Sequence, residues 1–320
     1  MDGAAIARAV DAIEITCGYR FLHDWLVVQG FIEARPGGLH LSRWDTLPES
    51  GLFLAWAGSK LVAVQAAVPE GQDKGLPSAG PFYIEIGNLR RRGSRLCELG
   101  MSAVTPALQK SVLPAEMIRC CVAHAVAAGC SQVVATVDPS KARQYSDWGF
   151  SIANPIRVFS SDMPFPAVLA SLDLEALARA GGESEVFAGG LSPRDYYIDR
   201  NPYLRHAERW SVQAGDTFGS AEFLRELFVR RSGLLERCNE EELATICREW
   251  GRSLFDQVWT GPAIPAWRSE MSESEPTTGP RVAAVGRRGP ASGSRPRPQR
   301  GNPSPVEMHA ALLLAAGSVS

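Results

Sequence analysis

The sequence lacks the features that mark membrane-spanning, secreted and nucleic-acid-binding proteins. No apolar run approaches the roughly 18 residues that a membrane-spanning helix requires. The first residues, MDGAAIARAVDAIEIT, carry acidic side chains early and lack the basic-then-apolar order of a signal peptide. The formal net charge of −2 supplies no excess of positive charge for nucleic acid or an anionic membrane surface. These absences predict a cytoplasmic protein.

Motifs for metal, nucleotide and serine-hydrolase chemistry are also missing. The seven cysteines show no C-x-x-C spacing, and most lie among Val, Ala and Ile, which favours buried thiols over a metal site or disulfides. The histidines have no ligand spacing, and there is no G-x-S-x-G, P-loop or dinucleotide fingerprint. The sequence therefore predicts no metal site.

Composition and periodicity divide the 320 residues into three parts. Residues 1–165 alternate strand and helix signals, whereas residues 166–260, beginning with AVLASLDLEALARAGG, show mostly helical spacing. Residues 261–320 are dominated by Pro, Gly, Ser and Arg, and their apolar residues are too sparse for a core. We therefore expect a folded domain, a helical accessory region and a disordered tail.

The first part predicts a mixed α/β sheet. LFLAWAGSKLVAVQAAV indicates two strands joined by a tight turn. RLCELGMSAV indicates a third strand, PAEMIRCCVAHAVAAG a helix with proline in its first turn, and SQVVATV a buried strand. Strand, helix and strand in this order predict a parallel crossover. A hairpin before such a unit makes the sheet mixed.

These motifs, in this order, resemble the core of the GNAT acyltransferases. YSDWGF (145–150) is similar to the Y-x-x-x-G-F segment of that superfamily. The helix YRFLHDWLVVQGF, the turn Gly75-Leu76-Pro77 and the strand ELGMSAV are similar to long-chain N-acyl amino acid synthases and acyl-homoserine-lactone synthases. The resemblance covers about residues 13–175. It implies a GNAT-like mixed sheet flanked by helices, with a helical C-terminal extension.

The chain departs from the family pattern at three places. Gly100-Met101 stand where the family usually has Ser-Arg, and AVQAAV lacks the arginine that is common in the second hairpin strand. The segment QKSVLP keeps only the first position of the Q/R-x-x-G-x-G/A loop. These departures leave open a non-catalytic module that binds an acyl group or its carrier.

Glu98 and Tyr145 are the candidate catalytic residues. Acylation of an amine needs a group that removes a proton from the amine and an acid for the departing thiolate. Glu98 lies in an apolar strand, where burial raises a carboxyl pKa and makes the carboxylate a better base. The alternative is an outward-facing side chain or one paired with Arg92 or Arg95. The resemblance gives Tyr145 the role of the acid, and the alternative is a core aromatic.

The loop at residues 105–113 is the candidate site for the donor's phosphate. It precedes a helix, and free N–H groups at a helix start bind anions. Because glycines are missing, the loop fits the single phosphate of an acyl carrier protein (phosphopantetheine) better than the diphosphate of acyl-CoA. A plain strand-to-helix connection is the alternative. The predicted contacts are Val104, Gln109, Lys110, Ser111 and Val112.

A cluster of arginines before the Glu98 strand is the candidate docking surface for an acidic acyl carrier protein. A solvated loop is the alternative interpretation. The cluster comprises Arg90, Arg91, Arg92 and Arg95. The resemblance, together with these residues, implies an N-acyltransferase that moves a fatty acyl group from a carrier thioester to the amine of an amino acid or similar small molecule. A short-chain, acetyl-CoA-dependent N-acetyltransferase is a further alternative.

Overall fold

The computed structural model describes residues 4–71, 75–159, 164–179 and 190–259. The predicted disordered tail lies outside these residues. The described residues contain eight strands around which the helices are arranged. The strands are β1 (Ala5–Arg8), β2 (Gly51–Ala57), β3 (Lys60–Pro69), β4 (Leu96–Val104), β5 (Gln132–Val137), β6 (Ser151–Ile152), β7 (Arg157–Val158) and β8 (Pro166–Asp173).

The sheet is mixed, as the sequence predicts. Its order is β1-β2-β3-β4-β5-β8-β6, and β7 pairs with β8. Strands β4 and β5 are parallel, and the other recorded pairs are antiparallel. The parallel pair is joined by the helix α3 (Leu113–Ala127), which is the predicted crossover.

Helices cover both faces of the sheet. On one face, α1 (Ala12–Val28) brings Gly18 against Leu52 and Leu54, and α2 (Tyr83–Arg91) packs Ile86, together with the preceding Phe82, into an apolar cluster. On the other face, α3 and α4 (Ala142–Asp147) pack on a second cluster. The predicted fold class, a mixed sheet flanked by helices, is therefore confirmed.

The prediction of helix at the start of the second part is wrong. Residues 166–173 form β8, which lies between β5 and β6, and the helix α5 (Leu174–Arg179) begins only afterwards. A short apolar run fits both periods, and here the unpaired edge of β5 decided in favour of the strand. The division of the chain at residues 165 and 260 stays a prediction.

Residues 190–259 are mostly helical, as predicted. This region includes two π-helical segments, Asp195–Asp199 and Arg225–Arg231. Polar contacts attach it to the sheet region: the Trp250 indole N–H donates to the Thr46 carbonyl over 2.7 Å. The α-helices are α6 (Leu204–Phe218), α7 (Ala221–Leu224), α8 (Leu234–Arg237), α9 (Glu240–Trp250) and α10 (Arg252–Val258).

Candidate active site

The two parallel strands separate at the centre of the sheet. Pairing between β4 and β5 runs from Leu96 opposite Gln132 to Leu99 opposite Ala135. Beyond this point β4 continues to Val104, still paired with β3, while β5 pairs only with β8. The two adjacent strands therefore stop pairing beyond Leu99 and Ala135, and we call this point the strand separation.

A bulge in β4 lies at the start of this separation. Gln65 pairs with Ser102 and Ala67 pairs with Leu99, so β4 carries one more residue than β3 in this interval. The buried Gln65 amide donates to the Gly100 carbonyl over 2.9 Å. A Cβ atom at Gly100 would lie 3.1 Å from the Ala66 Cβ atom, which is tight. Two of the departures from the family pattern therefore meet at one bulge.

Glu98 lies opposite Val134, one residue pair before the strands separate. Its side chain is buried, and 1% of the residue's surface is exposed. Its Oε2 atom accepts hydrogen bonds from the Ser78 N–H (2.9 Å) and hydroxyl (2.7 Å). The Thr136 hydroxyl lies 3.4 Å from Oε1. Burial raises the pKa of Glu98 to about 7, while the bonds from Ser78 oppose the rise. The outward-facing alternative is therefore wrong, because the side chain is buried.

Tyr145 lies on the opposite face of the sheet, on α4. Its half-buried ring packs against Trp148 and Phe150, with centroids 5.2 and 5.3 Å away. Within the part of the chain that the structure describes, its hydroxyl has no hydrogen-bond partner. Burial, with a smaller effect of Cys121, raises its pKa to about 12. A thioester inserted between β4 and β5 would have Glu98 on one side and Tyr145 on the other.

The helical region covers the face of the sheet that carries Tyr145. The fully buried Tyr197 donates its hydroxyl proton to the Trp148 carbonyl over 3.0 Å. Beside it, the Tyr196 hydroxyl donates to Glu116 over 2.8 Å, and Glu116 also pairs with Arg119. These contacts join the segment at Asp195–Asp199 to α3 and α4. They engage Glu116, so its carboxylate is not free to cap the helix start.

The predicted phosphate loop offers few free N–H groups. The Ser111 hydroxyl donates to the Leu108 carbonyl (2.7 Å) and accepts the Leu113 N–H (3.1 Å), and Pro114 has no N–H. Gln109 donates to the Val104 carbonyl over 3.2 Å. Val112 is 61% exposed, and Lys110 is also exposed. Among the predicted contacts, the exposed Lys110 ammonium and the backbone N–H groups of Lys110 and Val112, which have no acceptor among the described residues, are left to meet a phosphate.

The arginine cluster lies at the other end of β4. Arg95 immediately precedes the strand, whereas the loop at residues 105–113 follows it, and nine extended residues span about 30 Å. Arg90 pairs with Glu70, and Arg91 donates to Asn88. Arg92 and Arg95 are exposed. The structure therefore does not bring these arginines to the strand separation.

Lysines, in contrast, lie at the end of the sheet where β4 and β5 separate. The chain has four lysines, and three of them lie at this end of the sheet, in three different segments of the chain. Lys60 begins β3, Lys110 follows β4, and Lys141 follows β5. All three are exposed, and none forms an ion pair within the described ranges. Asp138, near Lys141, is an acid at the same end of the sheet. We call these three residues the lysine rim.

Sequence reasoning missed Ser78, Gln65 and Tyr197. Ser78 and Gln65 act on β4 from other parts of the chain, so no local spacing marks them. Over the described residues, no group of three or more His, Cys, Asp or Glu side chains is arranged to hold a metal ion. No helix in the same part of the chain is long and apolar enough to cross a membrane.

A protein-family model described as N-acyl amino acid synthase FeeM matches residues 18–173. FeeM from uncultured soil microbes is 18% identical over 53% of this chain and 91% of its own, with a TM-score of 0.47. The CoA-dependent acyl-homoserine lactone synthase BjaI is 15% identical over 66% and 100%, with a TM-score of 0.41. A GNAT acetyltransferase from Streptococcus pneumoniae is 12% identical over 53% and 98%, with a TM-score of 0.37. No curated protein matches. The family match confirms the predicted resemblance.

Proposed function

We propose the following reaction on the strength of the match between residues 18–173 and the family model of the N-acyl amino acid synthase FeeM. The protein, an N-acyltransferase, moves a fatty acyl group from a carrier thioester to the amine of an amino acid or similar small molecule. The amine nitrogen attacks the thioester carbonyl carbon. A C–N bond forms, the C–S bond breaks, the amine loses one proton, and the thiolate gains one.

The main support for the proposal is the position of the buried Glu98 side chain in the sheet. It is a buried carboxylate at the point where β4 and β5 diverge, with one oxygen held by Ser78. A general base works best when its pKa lies near the working pH, and burial raises the pKa of Glu98 to about 7. Glu98 would accept the amine proton.

Tyr145 would donate the proton that the thiolate needs. Its hydroxyl is not engaged by any described residue, and its raised pKa, about 12, keeps it protonated at neutral pH. Because Glu98 and Tyr145 lie on opposite faces of the sheet, the thioester carbon would react between them, at the strand separation.

The donor would enter across the lysine rim. Exposed ammonium groups attract phosphate and acidic surfaces and accelerate association. Lys110 would meet the phosphate of the phosphopantetheine arm, with Lys60 and Lys141 on either side. The glycine-poor loop provides few N–H donors, which supports an acyl carrier protein over acyl-CoA. The cytoplasmic location stays a prediction from the sequence.

Thioester turnover tests the proposal directly. Purified protein is incubated with acyl carrier thioesters, with acyl-CoA of several chain lengths, and with a panel of amines, and thiol release is measured. Glu98→Gln should lower the rate at least a hundredfold at neutral pH, since general-base assistance contributes about 10²–10⁴-fold. No turnover with any pair, by protein whose circular dichroism shows it folded, would overturn the proposal.

Charge reversal tests the entry route. The variant K60E/K110E/K141E should slow association with an acyl carrier protein more than tenfold at low salt, with less effect at high salt. The matched control R91E/R92E/R95E makes the same change in charge at the opposite end of the sheet and should associate almost normally. If the control is the slower variant, the carrier binds at the arginine cluster instead.

A non-catalytic binding module is the second candidate. It is favoured by the loss of N–H donors at the start of α3, where Ser111 takes the Leu113 N–H and Pro114 has none. In that case wild-type protein and Glu98→Gln would bind an acyl carrier thioester equally well, and neither would release thiol. An enzyme would instead show unchanged binding and a lost rate in the variant.

A further inference from the structure

Ser78 is fully buried and contacts Glu98 from a distant part of the chain. Both its N–H and its hydroxyl donate to the same oxygen, Oε2, over 2.9 and 2.7 Å. Nothing in the spacing of the sequence links the two residues, which are 20 positions apart. A buried serine that uses both of its donors on one carboxylate oxygen fixes the direction of that carboxylate.

Local structure holds Ser78 in this position. Gly75 adopts φ +60°, which lets the chain turn sharply after β3, and Pro77 opens a 3-10 turn at Pro77–Ala79. The Ala79 N–H donates to the Leu76 carbonyl over 3.0 Å, and the Phe82 N–H donates to the Ser78 carbonyl over 2.9 Å. The turn is thereby fixed at both ends, and Ser78 has little freedom to leave Glu98.

The two oxygens of Glu98 are unequal as a result. Oε2 receives two short hydrogen bonds and has little capacity left for a third partner. Among the described residues, Oε1 receives only the long, 3.4 Å contact from the Thr136 hydroxyl, on the strand that diverges from β4. The oxygen with an unused lone pair is therefore the one on the side of the strand separation.

We propose that Ser78 is a positioning residue that locks Oε2 of Glu98 and presents Oε1 as the oxygen that accepts the amine proton. This inference rests on the proposed acyl transfer. The charged and titratable groups that act on Glu98 are Glu70, which follows β3, and the neighbouring Cys97 thiol. Glu70 is itself paired with Arg90. Ser78 thus supplies the strongest contacts to the carboxylate.

The test compares Ser78→Ala, Ser78→Thr and the control Ser94→Ala over pH 5–9. Loss of the hydroxyl removes one bond that favours the carboxylate, so Ser78→Ala should move the rising limb of kcat/KM upward by about one pH unit. The rate at pH 6 should fall about tenfold and recover at pH 9. Ser78→Thr keeps the hydroxyl and should restore the profile, and Ser94→Ala, next to β4, should not change it.

An infrared titration gives a readout that does not depend on turnover. The carboxyl C=O band of Glu98, identified by its loss in Glu98→Gln, should titrate about one pH unit higher in Ser78→Ala. A lower rate with neither the kinetic nor the infrared midpoint shifted would overturn the proposal, because a purely structural defect lowers the rate at every pH. If the infrared shift appears but wild-type protein transfers no acyl group, the positioning by Ser78 stands and the reaction is refuted.

Discussion

Replacing Glu98 by glutamine should change how the protein's stability depends on pH. Burial raises the pKa of Glu98 from its usual 4.5 to about 7. Between these values the folded state keeps a proton that the unfolded state releases, so folding stability falls as pH rises through this window. At about 1.4 kcal/mol per pH unit, the loss is about 3 kcal/mol. It is complete above pH 7, where the folded state also ionises.

Glutamine resembles the protonated carboxyl group and does not titrate. At pH 5 the variant Glu98→Gln should therefore match wild type to within about 1 kcal/mol, because the amide oxygen still accepts the Ser78 bonds. At pH 8 the variant should be more stable than wild type by about 3 kcal/mol. The assay is urea denaturation of both proteins at both pH values, compared as the change in the free energy of unfolding.

The control is Glu208→Gln, because Glu208 is exposed and its replacement removes a carboxylate that is not buried. That variant should differ from wild type by the same small amount at pH 5 and pH 8. The reasoning is refuted if Glu98→Gln also shows equal differences at the two pH values. Glu98 would then not have the raised pKa that its burial predicts.

Three further predictions concern groups around the site. Burial lowers the pKa of His124 to about 3. Folding stability should therefore fall as the pH drops below about 6.5, where the histidine of the unfolded chain binds a proton and that of the folded chain does not. The melting temperature of His124→Gln should depend less on acid pH than that of wild type. Tyr145→Phe should lower kcat about a hundredfold, measured by thiol release, with donor affinity unchanged, and an unaltered kcat would exclude its acid role. Gln65→Leu leaves the Gly100 carbonyl without its 2.9 Å partner and should cost about 1–3 kcal/mol in denaturant titration. A cost near zero would show that the bulge does not need this bond.

The departures from the family pattern acquire a physical meaning in the structure. The Gln65 amide and the close approach of Gly100 to Ala66 both stabilise the bulge that begins the strand separation. A side chain larger than glycine at residue 100 would crowd Ala66, because a Cβ atom there would already lie 3.1 Å from the Ala66 Cβ atom. Gln65 and Gly100 are neutral, and the exposed lysines of the lysine rim supply positive charge at the end of the sheet where β4 and β5 separate.

Local patterns predicted those parts of the fold whose cause is local. The apolar run of RLCELGMSAV formed β4, and proline placed the start of α3. Asp138 accepts the Ser140 N–H over 2.7 Å and so caps the turn that follows β5. Ser220 likewise caps α7 by accepting the Phe223 N–H. In each case the hydrogen bond or apolar face involves residues only a few positions apart.

The amino-acid sequence by itself determined the hairpin of β2 and β3, the parallel crossover from β4 through α3 to β5, and the presence of a carboxylate in β4. Only the tertiary structure decided that residues 166–173 are a strand, because the open edge of β5 selected one of two possible periods. Only it placed Ser78 on Glu98 and the arginine cluster away from the strand separation. The burial of a side chain, its pKa and the charges around it depend on contacts between distant segments, so the spacing of residues along the chain does not predict them.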